Sequence, residues 1–259
     1  MSRVEVAFDQ HVATVTVNRP EVLNALDIQT IADLDDAVTE VVAQPGTHVV
    51  VFRGAGSRAF IAGGDIADLE SRRGLEHYGA FAEAIHRLFR RIEKLEFPTI
   101  SAVRGHCLGG GVELLLSTDI RVLSTSARLG LPEITLGLFP GAGGSQRLPR
   151  QIPLCAAKFL MFTGEVINAE EAVRLGLANE VVSDEELDGR VAMLAASIAS
   201  KSPLVLKLLK RAIAHGVEAP LDSGLAYEQA MIALVLDSQD AHEGCRAFLE
   251  KRVPKFNGK

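Results

Sequence analysis

The hydrophobic and polar positions of the first fifty residues follow two different periods. Apolar residues recur at every second position from Val4 to Val17, which predicts two strands joined at Asp9-Gln10. Over residues 27–43 they recur at helical spacing behind Asp27, a residue type that caps helices. The run HVVVFR at 48–53 is apolar on both faces, as in a buried parallel strand. This order predicts a βαβ-like start.

The middle of the chain repeats strands followed by glycine-rich stretches. The sequence GAGSRAFIAGGDI at 54–66 is too irregular to predict an element, and the polar residues 67–79 predict a mobile loop. An amphipathic helix follows at about 81–94. Further strands are predicted at 99–103, 120–123 and 128–131, the last as a short edge, and a short helix at 112–116.

From residue 154 the helical period dominates, and the only further strand signal lies at 178–182. No low-complexity linker or internal repeat separates this part from the preceding one. We therefore predict one α/β domain, with a core over residues 1–190 and a helical C-terminal region over 191–259.

Composition excludes several classes of function. A net charge of −6 and a pI near 5.7 disfavour nucleic acid as a partner, because phosphate backbones are bound by clustered Lys and Arg. No apolar run of about 18 residues and no basic leader is visible, so we expect a cytoplasmic protein without a membrane partner. Cys107, Cys155 and Cys245 lack the spacing of zinc ligands, which predicts reduced thiols and no metal.

Two glycine-rich turns, each behind a buried strand, are candidates for binding negative charge. Gly64 lies in the first turn, and Gly110 lies in the second, which leads into a helix. Free backbone N–H groups at both turns could point at one negative centre and form an oxyanion hole. Neither a GxGxxG nor a Walker spacing is present, which disfavours a nucleotide loop. A purely structural role for both turns is the alternative.

Two acidic residues lie in apolar surroundings. Glu113 follows three glycines in the first turn of a helix, and Glu133 follows a proline. Locally, each is equally well explained as a helix N-terminal acid. Together they suit general acid/base catalysis, since burial and mutual repulsion would keep one protonated at neutral pH. A nucleophilic dyad of His106 and Cys107 is disfavoured, because adjacent strand residues point to opposite faces.

Five segments in order resemble the enoyl-CoA hydratase/isomerase (crotonase) family over nearly the whole chain, from Val4 to Gly258. They are NRPEVLNAL at 18–26, AFIAGGDI at 59–66, PTISAVRGHCLGGGVELLLSTDIR at 98–121, LGLPEITLGLFPGAGGSQRLPR at 129–150 and FLEKRVPKF at 248–256. The resemblance implies an α/β fold of ββα repeats stacked into a spiral. It also implies that the C-terminal helices build a homotrimer, commonly paired into a hexamer.

The same resemblance implies roles for single residues. The N–H groups of Gly64 and Gly110 would form the oxyanion hole. Glu133 would protonate the α-carbon while Glu113 activates water, in a reversible syn addition to a trans-2-enoyl-CoA that belongs to fatty acid β-oxidation. The acyl-CoA substrate brings its own coenzyme A, so no separate cofactor is expected. Residues implied along the coenzyme A channel are Val22, Leu23, Ala62, Asp65 and Ile66, of which Asp65 is also explained by an Asx turn.

The chain departs from the family pattern at three places. Glu21 stands where a basic residue is common, and Gly64 stands where alanine is common. The charges of residues 69–79 (Arg72, Arg73, Glu76, His77) either shape the acyl pocket or belong to a solvated loop. Two alternatives to a hydratase stay open. One is a Δ3,Δ2-enoyl-CoA isomerase, in which Glu113 takes no part in catalysis, and the other is a non-catalytic subunit that binds coenzyme A thioesters.

Overall fold

The computed structural model of the protein describes residues 2–71 and 74–259, apart from the side chains of residues 76–78. Its first element is a hairpin of β1 (Val4–Asp9) and β2 (Val12–Val17), paired antiparallel. Gln10 closes the turn with φ 51°. Helix α1 (Ile28–Ala43) follows, and the Asp27 side chain caps it by accepting the Thr30 N–H at 2.8 Å. The predicted hairpin and helix are confirmed.

The next six strands come in pairs whose members enter different sheets. The pairs are β3 (Val49–Gly54) with β4 (Ala59–Ile61), β5 (Thr99–Val103) with β6 (His106–Leu108), and β7 (Ile120–Ser124) with β8 (Arg128–Gly130). The last strands are β9 (Val166–Asn168) and β10 (Glu180–Val182). Among the described residues, one sheet has the order β1-β2-β3-β5-β7-β10 and the other the order β4-β6-β8-β9. The paired strands match the predicted spiral of ββα repeats.

Pairing within each sheet is parallel except at one end, where β1 pairs antiparallel with β2 and β9 with β8. In the order of the smaller sheet, β8 lies between β6 and β9. The prediction that residues 128–131 form an edge strand was therefore wrong. Strands β4 and β9 were missed, because three residues are too few to establish a period of two.

The other helices of the described chain come between or after these strands. They are α2 (Ile66–Ser71), α3 (Gly74–Glu93), α4 (Gly110–Leu115), α5 (Gly144–Gln151), α6 (Leu154–Thr163), α7 (Ala169–Arg174), α8 (Leu187–Ala199), α9 (Pro203–Gly216), α10 (Leu221–Leu236) and α11 (Gln239–Leu249), with 3-10 helices at Pro20–Val22 and Pro132–Leu136. In the described part of the chain no single helix has the length and apolar composition to cross a membrane, although α8 and α9 pass that test together as a pair bent by 100°.

The segment 67–79 is largely helical, which corrects the loop prediction. Helix α2 begins after Asp65, whose side chain accepts the Asp68 N–H at 3.3 Å, and α3 is already present at Gly74. The predicted effect of the charges in this segment stays a prediction. Arg72 and Arg73 lie outside the described residues, as do the side chains of Glu76 and His77.

The larger sheet is buried on both faces, as the doubly apolar strand at 48–53 predicted. Val50 and Phe52 of β3 face the main core, whereas Val49 and Val51 face a second core beneath α8. The predicted division at residue 190 falls within α8 and stays a prediction. The central strands are therefore fixed from two sides, which gives the turns at their ends a rigid base.

Candidate active site

Two backbone amides lie side by side where the short strands end. Leu26 bridges the first turn, donating its N–H to Gly63 O at 2.8 Å and accepting the Asp65 N–H at 2.9 Å. In such a parallel bridge the N–H of Gly64 points away from Leu26. Gly110 is the first residue of α4, so its N–H has no intrahelical acceptor. A Cβ at Gly110 would lie 3.9 Å from Gly64 N, which brings the two predicted oxyanion-hole donors together.

Glycine is required around these amides for steric reasons. Gly63 has φ 116° and Gly109 has φ 51°, and side chains are rare in this half of backbone space. A Cβ at Gly111 would overlap the carbonyl oxygen of Ile61, so the first turn of α4 packs directly on β4. This close contact aligns the start of α4 with the Gly63-Gly64 turn.

Glu113 is buried in the first turn of α4, with 3% of its surface exposed. Its Oε1 accepts the N–H groups of Ala142 at 2.7 Å and Gly144 at 2.8 Å. Burial raises the pKa of Glu113, while both amides and the guanidinium of Arg147 act against that rise. Two backbone N–H donors therefore stabilise the ionised form of Glu113 despite its burial.

Glu133 has a different environment in the 3-10 helix at Pro132–Leu136. A Cβ at Gly109 would lie 3.1 Å from its Oε1, which places the carboxyl beside the glycine turn. Its Oε2 is buried and has no hydrogen-bond partner among the residues that the structure describes. Burial raises the pKa of Glu133 to about 7, and the charge of Glu113 adds to the rise.

Both acids and both glycines line one partly open cavity of about 90 Å³, whose other walls are mainly apolar side chains. These are Leu26, Leu69, Phe81, Ile85, Leu138 and Phe139. Two larger cavities, of about 540 and 590 Å³, lie against α8 and beside α11 and contain neither acid. Chemistry rather than volume therefore locates the site: an apolar pocket in which an acid of raised pKa meets two free amides.

The residues predicted along the coenzyme A channel form a strip leading to Gly64. Leu23 O accepts the Ala62 N–H at 3.1 Å, and Val22 and Ile66 are 40% and 53% exposed. The side chain of Asp65 is engaged elsewhere, since its Oδ2 lies 3.3 Å from Arg19 Nη2 and its Oδ1 caps α2. The turn interpretation explains these contacts, and binding of coenzyme A by the strip stays a prediction.

Residues that sequence reasoning missed support Glu113 from a distance. Ala142 and Gly144 donate to its carboxylate from about thirty positions away, and Arg147 pairs with Glu93, which is 54 positions earlier. No local pattern could reveal contacts that arise only when α3, α4 and α5 are packed together. The glycine-rich run at 141–144 was their only signal in the sequence.

Other candidate chemistries find no support. On β6, His106 is exposed and Cys107 is fully buried, so they do face opposite sides. Burial also raises the pKa of the Cys107 thiol far above its usual range. Across the residues that the structure describes, no group of three or more His, Cys, Asp or Glu side chains could hold a metal ion.

Comparison with known proteins agrees with this geometry. A family model described as enoyl-CoA hydratase/isomerase matches residues 7–259. "Crotonyl-CoA hydratase" of Syntrophomonas wolfei is 40% identical over 253 residues, covering 97% of this chain and 96% of its own. "Short-chain-enoyl-CoA hydratase" of Clostridium acetobutylicum is 41% identical over 241 residues, covering 93% and 92%.

A solved structure gives the same result for the fold. The crystal structure of enoyl-CoA hydratase from Bacillus anthracis is 37% identical, covers 100% of both chains and superposes with a TM-score of 0.96. The similarity extends over the whole chain, including the segments that carry both acids and both glycine turns. The chain therefore belongs to the enoyl-CoA hydratase/isomerase family, as its motifs predicted.

Proposed function

We propose that the protein is an enoyl-CoA hydratase, which adds water reversibly and syn to a trans-2-enoyl-CoA to give a 3-hydroxyacyl-CoA. One observation carries this proposal: a buried carboxyl and a partly buried one, with different hydrogen-bonding environments, face one apolar cavity beside two adjacent amides. An isomerase needs one proton shuttle, whereas hydration needs a group for water and a group for the α-carbon. The names of the relatives give the same activity for similar proteins.

The amides of Gly64 and Gly110 bind the thioester carbonyl oxygen in this proposal. Attack of water at the β-carbon pushes electrons through the double bond onto that oxygen. Two preorganised N–H donors stabilise the resulting enolate, and loss of one such donor typically costs about 3 kcal/mol of transition-state stabilisation. The apolar walls of the cavity lower the local polarity, which strengthens the interaction.

The two acids divide the proton transfers. Glu113 is the acid whose ionised form has donors, so it carries the negative charge of the pair and takes a proton from the attacking water. Glu133, whose pKa is raised to about 7, is protonated in about half of the molecules at neutral pH, and this protonated form delivers its proton to the α-carbon. The product gains one hydroxyl and one hydrogen, and solvent exchange returns Glu113 and Glu133 to their starting protonation. Dehydration follows the same steps in reverse.

We also propose that residues 191–259 make subunit contacts in a trimer or a hexamer. Large apolar side chains are exposed along the C-terminal helices, and Val217, Leu221, Phe248, Leu249 and Val253 are each at least 75% exposed. A soluble monomer rarely exposes so much apolar surface in one region. The predicted cytoplasmic location, the predicted lack of a separate cofactor and the part in fatty acid β-oxidation stay predictions.

The test of the hydratase proposal is the loss of ultraviolet absorbance of crotonyl-CoA, with Glu113→Gln and Glu133→Gln beside the wild type. Each substitution should lower kcat by about 10²- to 10⁴-fold, because each removes one proton-transfer group. Glu165→Gln, an exposed site outside the cavity, is the matched control and should keep full activity. No hydration by the wild type would overturn the proposal. If the wild type instead isomerises a 3-enoyl-CoA, and Glu113→Gln keeps that activity, the protein is an isomerase.

A further inference from the structure

The turn that binds Glu113 is itself bound by an arginine. Arg147 lies in the first turn of α5, and its guanidinium folds back so that Nη1 lies 3.4 Å from Ala142 O. A Cβ at Gly143 would overlap the same Nη1, so the guanidinium rests directly on the turn. Ala142 is therefore contacted from both sides, because its N–H donates to Glu113 and its carbonyl faces Arg147.

The guanidinium is anchored at its other end. Arg147 Nε and Nη2 donate to the two carboxylate oxygens of Glu93 at 3.2 and 2.9 Å, a bidentate geometry that fixes direction as well as distance. The Arg147 side chain is only 13% exposed. Glu93 is the last residue of α3, and Phe81 and Ile85 of the same helix line the cavity. The pair thus joins a wall of the pocket to the turn that binds Glu113.

Few charges face Glu113 in the described part of the chain. Glu133 faces it from the 3-10 helix, and Arg147 faces it from α5 with Glu93 of α3 behind. Arg147 is therefore the cation among them. We propose, building on the proposed function, that Arg147 is a positioning residue: it fixes the Ala142–Gly144 amides against Glu113 and favours the ionised form of that acid. In this way it assigns water activation to Glu113 and leaves the shared proton on Glu133.

Four variants separate charge from anchoring. Arg147→Gln removes both the charge and the bidentate contact with Glu93. Arg147→Lys keeps the charge but not the bidentate geometry, and Glu93→Gln keeps the cation but breaks the bidentate pair. Arg150→Gln is the matched control, because Arg150 lies one turn further along α5, is exposed and donates to Gln146 O. Melting curves establish that each variant folds.

The kinetic readout is the pH profile of crotonyl-CoA hydration. Arg147→Gln should lower kcat/KM by about tenfold or more, because the amides that hold Glu113 lose their support. It should also move the acid limb to higher pH, since the ionised form of Glu113 loses its cation. Arg147→Lys should restore the position of that limb, and Glu93→Gln should not move it upward. A limb unmoved in Arg147→Gln would overturn the proposal, as would an equal shift in Arg150→Gln.

A second readout needs no turnover. The ¹³C carboxyl resonance of Glu113, assigned by its loss in Glu113→Gln, reports the titration of that acid directly in the full-length protein. Its midpoint should rise in Arg147→Gln and stay in place in Arg150→Gln, and an unchanged midpoint in Arg147→Gln would overturn the proposal. If the wild type does not hydrate crotonyl-CoA but the Glu113 midpoint still rises in Arg147→Gln, the proposed function is refuted and the role of Arg147 is supported. If Arg147→Gln fails to fold, Arg147→Lys and Glu93→Gln decide between charge and anchoring.

Discussion

Glu113 and Glu133 face the same cavity, but within the described structure Glu113 accepts two backbone N–H groups from a distant turn, whereas Glu133 has only its own backbone amide. Oε1 of Glu113 accepts two N–H groups, whereas Oε2 of Glu133 is buried without a partner. The proton shared by such a pair resides where the ionised form is least stabilised, which is on Glu133. This asymmetry gives two identical functional groups different roles and has measurable consequences for rate and stability.

The first consequence concerns the pH dependence of turnover. Because Glu133 must be protonated to deliver its proton, kcat/KM for hydration should fall as pH rises through about 7. Hydration consumes no net proton, so its equilibrium is independent of pH, and kcat/KM for dehydration must show the same limb. Initial rates in both directions between pH 5 and 9 measure this. A flat hydration profile across neutral pH would contradict the assignment of Glu133 as proton donor.

The second consequence concerns stability. The pKa of Glu133 is raised from an ordinary value of 4.5 to about 7 on folding, so between these values the unfolded chain releases a proton that the folded protein keeps. The wild type should therefore lose stability as pH rises from about 4.5 to 7. Since Glu133 is only partly buried, we expect the loss to be about 1 to 2 kcal/mol.

Glu133→Gln removes this loss, because the amide has no proton to release. Its advantage over the wild type in denaturant unfolding should grow from pH 5 to pH 8, at one fixed protein concentration. Glu165→Gln, at an exposed site, should show no growing advantage. An advantage of Glu133→Gln that is equal at both pH values would show that lost packing, and not the raised pKa, sets the difference.

Only some parts of the fold have local signals in the sequence. The hairpin β1–β2 and helix α1 carry their own period and cap, so their bounds were predicted closely. The smaller sheet was largely missed, because strands such as β4 and β9 have three residues each and form by pairing with distant segments. Short strands need their partners more than their own sequence.

The candidate site shows the same limit. Both acids and both glycine turns stand out locally, as acids in apolar runs and glycines after strands. The asymmetry between the acids depends on Ala142, Gly144 and Arg147, which reach Glu113 only in the folded chain. From the residues alone, the sequence predicted that one of the two acids would be protonated. The contacts of Glu113 in the folded chain are what assign that proton to Glu133.

A glycine pair tests the geometry of the turn beside Glu133. Gly109→Ala introduces a methyl group 3.1 Å from Glu133 Oε1, at a backbone φ of 51°. Gly176→Ala imposes a comparable backbone strain at φ 81° but meets nothing within 4 Å. Both should lose about 1 kcal/mol or more of stability, whereas only Gly109→Ala should also lower kcat by about tenfold or more. Equal kcat values for the two variants would show that the turn does not position Glu133.

The exposed apolar C-terminal surface tests the assembly proposal. Phe248 is 82% exposed in the isolated chain, and Leu249 and Val253 are equally exposed. If this surface lies in a subunit contact, Phe248→Asp buries an unpaired carboxylate there, at a cost of several kcal/mol. Sedimentation should then show a trimer or hexamer for the wild type and a shift to monomer for the variant. Val42→Asp, at a half-exposed site on α1, is the control and should keep the wild-type assembly. A monomeric wild type, or equal dissociation of both variants, would contradict the assignment of residues 191–259 to subunit contacts.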